Sequence, residues 1–223
     1  MCKHLILYNI QNNEFLINMN NSTNSSFATN DFGVVVYSAS SAAIDQIYID
    51  AAARLGELLA KNSITCINGG GNLGLMGAVI DSVLQHNGKV KGVIPKFMVD
   101  SGWGHTMLSE RIVTASMHER KQKMADLSNA AIALPGGVGT LEELLEIITW
   151  KQLGLYNHPI IIVNTNNYFD SLLAMFNNMI EQNFMHERYC TLWRVVTTPE
   201  EAIDEIRKET VTFSHLTKFE EKA

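Results

Sequence analysis

From residue 32 onwards, short apolar runs alternate with longer segments whose apolar residues recur at helical spacing. The runs, such as "GVVVY" and "AAIAL", are rich in Val, Ile and Ala, which is typical of buried strands. Segments such as "QIYIDAAARLGELLAKN" repeat apolar residues every three or four positions, which indicates amphipathic helices. Near-continuous apolar strands that alternate with helices form parallel sheets covered on both faces. The pattern therefore predicts a Rossmann-like, doubly wound α/β fold with a mostly parallel sheet.

The same pattern gives the order and extent of the predicted elements. Strands are predicted at residues 32–38, 63–69, 89–95, 110–115, 130–135, 159–164 and 193–197. Helices are predicted at residues 46–62, 72–88, 116–128, 140–154, 168–182 and 199–209. Gly88 is expected to act as a helix C-cap. Residues 97–109 form the longest irregular stretch, and such loops often cover a site, although a plain connector fits equally well.

The length and composition limit the organisation of the chain and its partners. Residues 1–31 are rich in Asn and Ser and predict a disordered leader, residues 32–208 a single domain, and residues 209–223 a tail. The net charge of −6, without blocks of like charge, disfavours a nucleic-acid partner. No apolar stretch is long enough to span a membrane, so we expect a cytoplasmic protein. The cysteines show no metal-binding spacing, so no metal site is expected.

Two glycine-rich segments follow predicted strands, "NGGGNLGLMG" at residues 68–77 and "PGGVGT" at residues 135–140. Ligands of open parallel sheets bind beyond the carboxyl ends of the strands, and a helix N-terminus offers free N–H groups to an anion. Each loop therefore predicts a phosphate site, the first through Gly70 and Gly71, although either loop could be only a tight turn. The first loop also fits GxGxxG, but no ribose-binding acid follows about 20 residues later, which disfavours a dinucleotide site.

Charged residues lie beside the second loop. Thr140 and Glu143 match a capping box, which would give Glu143 a purely structural role. Alternatively, a carboxylate beside a bound anion is tolerated where a cation intervenes or where the carboxylate takes part in chemistry. Arg120, in the first turn of a helix expected at the same sheet edge, is such a cation, and His118 is a weaker candidate acid or base. A phosphate-binding loop, an arginine and a carboxylate together favour hydrolysis at a sugar carbon. There a carboxylate stabilises an oxocarbenium-like centre or activates water.

The segments "GGGNLGLMG", "MHERK" and "ALPGGVGTLEELLEIITWKQLG" together closely resemble the LONELY GUY family, many of whose members were labelled "lysine decarboxylase". The motif PGGxGTxxE is met in full, and the resemblance runs from Phe32 to Ile206. It implies a Rossmann-like fold, a homodimer, and no metal or coenzyme. It also implies hydrolysis of the N-glycosidic bond of AMP, or of N6-substituted AMP (a cytokinin riboside 5′-monophosphate), to the free base and ribose 5-phosphate.

The resemblance further implies which residues do this. Its catalytic positions fall on Arg120 and Glu143. Its nucleotide contacts fall on the second loop, the helical turn after it and two outlying positions, namely Gly136, Gly137, Val138, Gly139, Thr140, Leu141, Glu142, Lys121 and Thr149. Two segments depart from the family pattern: "YSASS" at residues 37–41 replaces a Cys-Gly-Ser-Ser-like turn, and residues 97–109 match poorly.

Two other functions stay open at this point. A nucleotide or cofactor carrier on the same fold would need the phosphate loop but not the pairing of Arg120 with Glu143. A dinucleotide oxidoreductase would need the ribose-binding acid that the first glycine loop lacks.

Overall fold

A computed structural model of the protein describes residues 32–208, so the predicted leader and tail lie outside the described residues. Within this range one sheet contains seven strands, all parallel, in the order β4-β3-β2-β1-β5-β6-β7. The strands are β1 Gly33–Tyr37, β2 Thr65–Asn68, β3 Val90–Pro95, β4 Glu110–Thr114, β5 Ala130–Ala133, β6 Ile160–Val163 and β7 Arg194–Val196. Every strand lies inside a segment for which the apolar runs predicted one.

Helices connect successive strands and lie on both faces of the sheet. They are α1 Gln46–Lys61, α2 Gly74–Gln85, α3 Lys96–Asp100, α4 Met117–Asp126, α5 Val138–Gln152, α6 Asp170–Glu181 and α7 Pro199–Lys208. The short helix α3 occupies the start of the stretch that was predicted to be irregular. Among the described helices, none combines the length and the apolar character that a membrane crossing requires.

The alternation of side chains along β1 shows how the two cores form. Val34 and Val36 pack with the buried faces of α1, α2 and α7, whereas Val35 and Tyr37 pack with α4, α5 and α6. Successive side chains of a strand point to opposite faces, so each buried strand contributes to both clusters. The predicted doubly wound α/β fold is confirmed.

The strand order places a crevice between β1 and β5. The chain runs outward from β1 through β2 and β3 to β4, then returns to β5 on the opposite side of β1. At such a reversal the loops leaving the two central strands diverge to opposite faces, which opens the usual ligand crevice of this fold. The two loops are linked by the Ala39 N–H, which donates to the Pro135 carbonyl at 3.2 Å.

The prediction that Gly88 is the C-cap of α2 was wrong, because the helix ends at Gln85 and His86 is its C-cap. Asn87 takes the left-handed conformation, with φ of 58°, and the Gly88 N–H donates to the Val83 carbonyl at 2.8 Å. This is the Schellman arrangement, in which Asn can replace Gly. Gly88 is needed for space instead, because a Cβ there would lie 2.7 Å from Ala60 Cβ on α1.

Candidate active site

The helix after the second glycine loop begins earlier than predicted. It starts at Val138, with Gly137 as its N-cap, and no side chain caps it. Thr140 therefore lies inside the first turn, where its hydroxyl packs against Gly136: a Cβ at Gly136 would lie 2.1 Å from Thr140 Oγ1. The predicted capping box of Thr140 and Glu143 was wrong, because two glycines let the chain enter the helix before Thr140. The structural explanation for Glu143 is thereby removed.

The start of α5 is open to a ligand. The N–H groups of Val138, Gly139 and Thr140 find no acceptor among residues 32–208, as expected for an uncapped helix N-terminus. A Cβ placed on Gly137 or Gly139 would meet no atom within 4 Å. Free N–H groups, the positive end of the helix dipole and open space together form an anion site.

Two side chains, those of Tyr168 and Thr140, fix the second glycine loop at Gly136. The Tyr168 hydroxyl donates to the Gly136 carbonyl at 2.6 Å, and Thr140 is buried against the same glycine. These contacts do not involve the free N–H groups of Val138, Gly139 and Thr140, which stay available to a ligand.

The first glycine loop is closed, in contrast to the second. The Gly70 N–H donates to Asn68 Oδ1 at 2.9 Å, and the Gly71 N–H lies 3.1 Å from Met76 Sδ. The Gly70 carbonyl accepts from the His105 N–H at 2.7 Å. The loop thus supports the segment around His105, and neither glycine offers a free N–H to a phosphate. Contact of Gly70 and Gly71 with the nucleotide stays a prediction.

Arg120 is buried beside this first loop, with only 6% of its surface exposed. Its Nε donates to the Val93 carbonyl at 3.0 Å and its Nη2 to the Gly69 carbonyl at 3.1 Å. Burial lowers the pKa of Arg120, and the carboxylates of Glu143 and Glu142 partly offset that effect. One carbonyl within β3 and one just after β2 thus fix the guanidinium, and Nη1 has only the weak acceptor Met117 Sδ at 3.8 Å, which leaves it able to bind another partner.

Gly69 is a site residue whose role the sequence did not reveal. A Cβ at this position would lie 1.8 Å from Arg120 Nη2, so only glycine lets the guanidinium reach its carbonyl. The sequence places Gly69 in a phosphate-type motif, and nothing in the spacing connects it with an arginine 51 residues away.

Glu143 lies in the second turn of α5, where its charge acts on Tyr37 at the end of β1 and on Arg120 of α4. Its carboxylate accepts no hydrogen bond from residues 32–208. Burial raises the pKa of Glu143 to about 7, with the attraction of Arg120 acting against this shift and the repulsion of Glu142 adding to it. A half-buried carboxylate with a pKa near neutrality is suited to exchange a proton with a substrate or a water.

Lys121 is the other cation of α4 at this edge, and it contacts α5. Its Nζ forms an ion pair with Glu146 Oε1 at 3.0 Å and a second ion pair with Glu142 Oε1. Burial alone would lower the pKa of Lys121, but the hydrogen bonds to these two carboxylates raise it overall. Glu146 was not singled out from the sequence. It follows Glu142 by four residues, and this spacing places both carboxylates on one face of α5, where a single cation can bind both.

The other predicted residues lie in different surroundings. Leu141 packs against the core, His118 is exposed on α4, and Thr149 is exposed on the outer face of α5, where its hydroxyl donates to the Leu145 carbonyl at 2.7 Å. Eleven residues at about 1.5 Å each place Thr149 roughly 16 Å along the helix from Val138. Thr149 is therefore not brought together with the phosphate loop of its own chain.

Tyr37 is a further residue that the sequence did not single out. It ends β1, directly beside β5, and it is buried. Burial raises the pKa of Tyr37 well above its usual range, and the neighbouring Tyr156, Glu143 and Glu146 raise it further. Its hydroxyl is a neutral donor in the surroundings of Glu143. Within residues 32–208, no cluster of three or more His, Cys, Asp or Glu side chains is arranged to hold a metal ion.

Fold and site together define a Rossmann-like protein that presents an open helix N-terminus, a buried arginine and a carboxylate at the switch point of its sheet. A family model described as "possible lysine decarboxylase" matches residues 76–206. Cytokinin riboside 5′-monophosphate phosphoribohydrolase LOG1 of Arabidopsis thaliana is 42% identical over 152 residues, which cover 68% of this chain and 71% of LOG1. The chain belongs to this family, the LONELY GUY family.

Two further comparisons extend this result. LOG4 of Arabidopsis thaliana, also named a cytokinin riboside 5′-monophosphate phosphoribohydrolase, is 41% identical over 163 residues, covering 73% of this chain and 76% of LOG4. Among solved structures, the molybdenum cofactor carrier protein of Chlamydomonas reinhardtii aligns with a TM-score of 0.61 over 80% of this chain and 97% of that protein. At 18% sequence identity, this second similarity concerns the fold alone.

Proposed function

We propose that the protein is a nucleoside 5′-monophosphate phosphoribohydrolase that cleaves the N-glycosidic bond of AMP or an N6-substituted AMP. The observation that carries the proposal is Glu143, a half-buried carboxylate without a hydrogen bond from residues 32–208, whose pKa burial raises to about 7. It lies between a fixed arginine and an open anion site. The names of the Arabidopsis relatives specify the same reaction on cytokinin nucleotides.

Each part of the site has a task in this reaction. The N–H groups of Val138, Gly139 and Thr140 bind the 5′-phosphate at the positive end of α5. This anchor places the ribose over the first turns of the helix, where Glu143 faces C1′. Arg120 offsets the negative charge of Glu143 and phosphate and steadies the leaving base or the phosphate.

The bond changes balance with water as the only co-reactant. The C1′–N bond of the nucleotide breaks as positive charge develops on the ribose, which the Glu143 carboxylate stabilises. A water oxygen bonds to C1′ and loses a proton to Glu143, the departing base nitrogen takes up one proton from the solvent, and Glu143 then returns its proton to the solvent, so that each turnover consumes one water. The products are the free base and ribose 5-phosphate, and no coenzyme is needed.

Homodimer formation is part of the proposal. Apolar side chains lie exposed on and just after the outer face of α5, namely Val138 (85% exposed), Leu145, Leu153 and Leu155 (72% exposed). Several large apolar side chains exposed along one side of a helix are typical of a subunit interface. Thr149 lies on the same face, so in a dimer it would contact the partner rather than the phosphate loop of its own chain. Cytoplasmic location stays a prediction from the sequence.

Substitution of the two central residues tests the proposal. Glu143→Ala and Arg120→Ala should each reduce kcat with AMP by about a hundredfold or more while the protein stays folded, because each removes a group that acts on the transition state. The matched controls are Asp126→Asn and Lys123→Ala, which remove exposed charges on α4. Undiminished release of adenine by either site variant would refute the assignment. Binding of AMP by the wild type without any turnover would instead identify a nucleotide carrier.

A further inference from the structure

Lys121 connects α4 to α5 through two ion pairs. The Lys121 side chain is 8% exposed, its Nζ lies 3.0 Å from Glu146 Oε1, and it forms a second ion pair with Glu142. Two of the three N–H donors of this ammonium are already occupied by carboxylates, which leaves one donor and little net positive charge for a further anion.

The arrangement of charge on α5 explains why such a link is needed. Glu142, Glu143 and Glu146 bring three carboxylates into the second and third turns of a helix whose N-terminus is open for an anion. Each carboxylate repels a bound phosphate and repels the other two. Arg120 faces Glu143, whereas Lys121 pairs with the two outer carboxylates. Lys121 thus forms its ion pairs with the two outer carboxylates, while both cations of α4 act on Glu143 electrostatically.

We propose that Lys121 is a positioning residue that acts through Glu142 and Glu146, neutralising the carboxylates on either side of Glu143 without contacting the nucleotide. This inference rests on the proposed function, and it departs from the direct nucleotide contact that the family resemblance implies for Lys121. Its consequence is electrostatic: Lys121 lowers the proton affinity of Glu143, so that a substantial fraction of this carboxyl group is ionised at neutral pH.

The groups around Glu143 show the direction of this effect. Burial raises the pKa of Glu143 to about 7, Glu142 and Glu146 raise it, and Arg120 and Lys121 lower it. The remaining titratable neighbour is Tyr37 on β1, which is neutral because burial raises its own pKa. Loss of Lys121 removes one stabilising charge and leaves two unpaired carboxylates, so the pKa of Glu143 should rise. Loss of the two outer carboxylates should lower it.

Charge-removal variants and their pH profiles test the inference. Lys121→Met should shift the acidic limb of kcat/KM for AMP upward by about one pH unit. Because the pKa of Glu143 is about 7 in the wild type, this shift should lower its ionised fraction, and hence kcat/KM, at pH 7 by about fivefold. Glu142→Gln/Glu146→Gln should shift the limb downward. The triple variant that combines all three changes should regain kcat/KM at pH 7 to within about threefold of the wild type. Lys123→Met, an exposed lysine on the same helix, is the matched control and should leave the limb unchanged.

Two results would overturn the inference. A triple variant as impaired as Lys121→Met, with a raised KM for AMP and an unmoved pH limb, would show that Lys121 binds the nucleotide directly. An unchanged pH limb in Glu142→Gln/Glu146→Gln would show that these carboxylates do not act on Glu143. Lack of turnover by the wild type in the same assay would mark failure of the proposed function instead.

A second measurement follows the pKa of Glu143 without using activity. Comparing the pH-dependent stability of each variant with that of its Glu143→Gln counterpart reports this pKa directly. The midpoint should be higher in Lys121→Met than in the triple variant, and equal midpoints would contradict the proposal.

Discussion

Glu143 and Arg120 form a pair in which each side chain is placed by its surroundings rather than by the other. The guanidinium is fixed by the carbonyls of Val93 and Gly69, whereas the Glu143 carboxylate accepts no hydrogen bond from the described part of the chain. Because neither group saturates the other, both keep capacity for a ligand. This separates the pair from an ordinary buried ion pair, whose members satisfy each other.

The stability of the protein should depend on pH through Glu143. Its pKa is about 7 in the folded protein and near 4.5 when solvated, so between these values the folded state keeps a proton that the unfolded state releases. The free energy of unfolding should therefore fall as the pH rises from about 4.5 to 7. Glu143→Gln removes this dependence. It should be as stable as the wild type at pH 4 and more stable by about 1–3 kcal/mol at pH 8.

Urea denaturation of both proteins at the two pH values measures this difference. Equal stability of wild type and variant at pH 8 would contradict the raised pKa of Glu143.

Gly69 gives a second prediction at this scale. Gly69→Ala would place a Cβ 1.8 Å from Arg120 Nη2 and must displace the guanidinium, whereas Gly71→Ala would meet only the flexible Met76 side chain, at 3.0 Å. Misplacement of one group by about 1 Å can cost a hundredfold in rate. Gly69→Ala should thus lower kcat at least tenfold, and Gly71→Ala should change it much less. Equal kcat values for the two variants would contradict this role of Gly69.

At the scale of elements, different glycines at the N-terminus of α5 serve folding and ligand binding. A Cβ on Gly137 or Gly139 would meet no atom within 4 Å, whereas Gly136 lies against the side chain of Thr140. Glycine costs about 1 kcal/mol relative to alanine inside a helix, so a glycine that touches nothing in the free protein serves something other than stability.

Alanine variants of Gly139 and Gly136 should therefore behave in opposite ways. Gly139→Ala should leave the Tm unchanged or raise it, because alanine favours the helix, and should raise KM for AMP because its Cβ enters the phosphate site. Gly136→Ala should lower the Tm, because its Cβ would lie 2.1 Å from Thr140 Oγ1. Thermal melts and initial rates measure both effects. An unaltered KM in Gly139→Ala would place the phosphate elsewhere.

Helix termini also show where sequence reasoning succeeded and failed. The S-x-x-E pattern at Ser116 and Glu119 does cap α4: Ser116 Oγ accepts from the Glu119 N–H at 3.1 Å, and the Glu119 carboxylate accepts from the N–H of Ala115, one residue before the N-cap, at 2.7 Å. The same motif failed at Thr140. Both segments match the motif, and only the glycines before Thr140, which let the helix begin earlier, distinguish them.

At the scale of the whole molecule, the sheet order decides which distant segments form the site. The open loop follows β5, the arginine begins the helix after β4, and the closed loop follows β2. All three lie at the carboxyl edge because the strands are parallel. The alternation of apolar runs and helices was sufficient to predict this edge. The partners of Arg120 and Lys121 were not predictable, since they depend on side-chain directions across elements.

The exposed apolar face of α5 predicts the assembly state. Leu145→Glu combined with Leu155→Glu places two charges on this face, which would be buried unpaired in a dimer. The variant should sediment as a monomer where the wild type sediments as a dimer, with its circular dichroism unchanged. Replacing the exposed Met175 on α6 by Glu is the matched control. Sedimentation of wild type and double variant at the same mass would exclude this face as the interface.

The most direct test of the central claim is a product balance with the wild-type protein. Incubation with AMP and, separately, with N6-isopentenyl-AMP should release free base and ribose 5-phosphate in equal amounts without added metal or coenzyme. The ratio of the two kcat/KM values then gives the preferred base. Tight binding of either nucleotide with no ribose 5-phosphate formed would contradict the account.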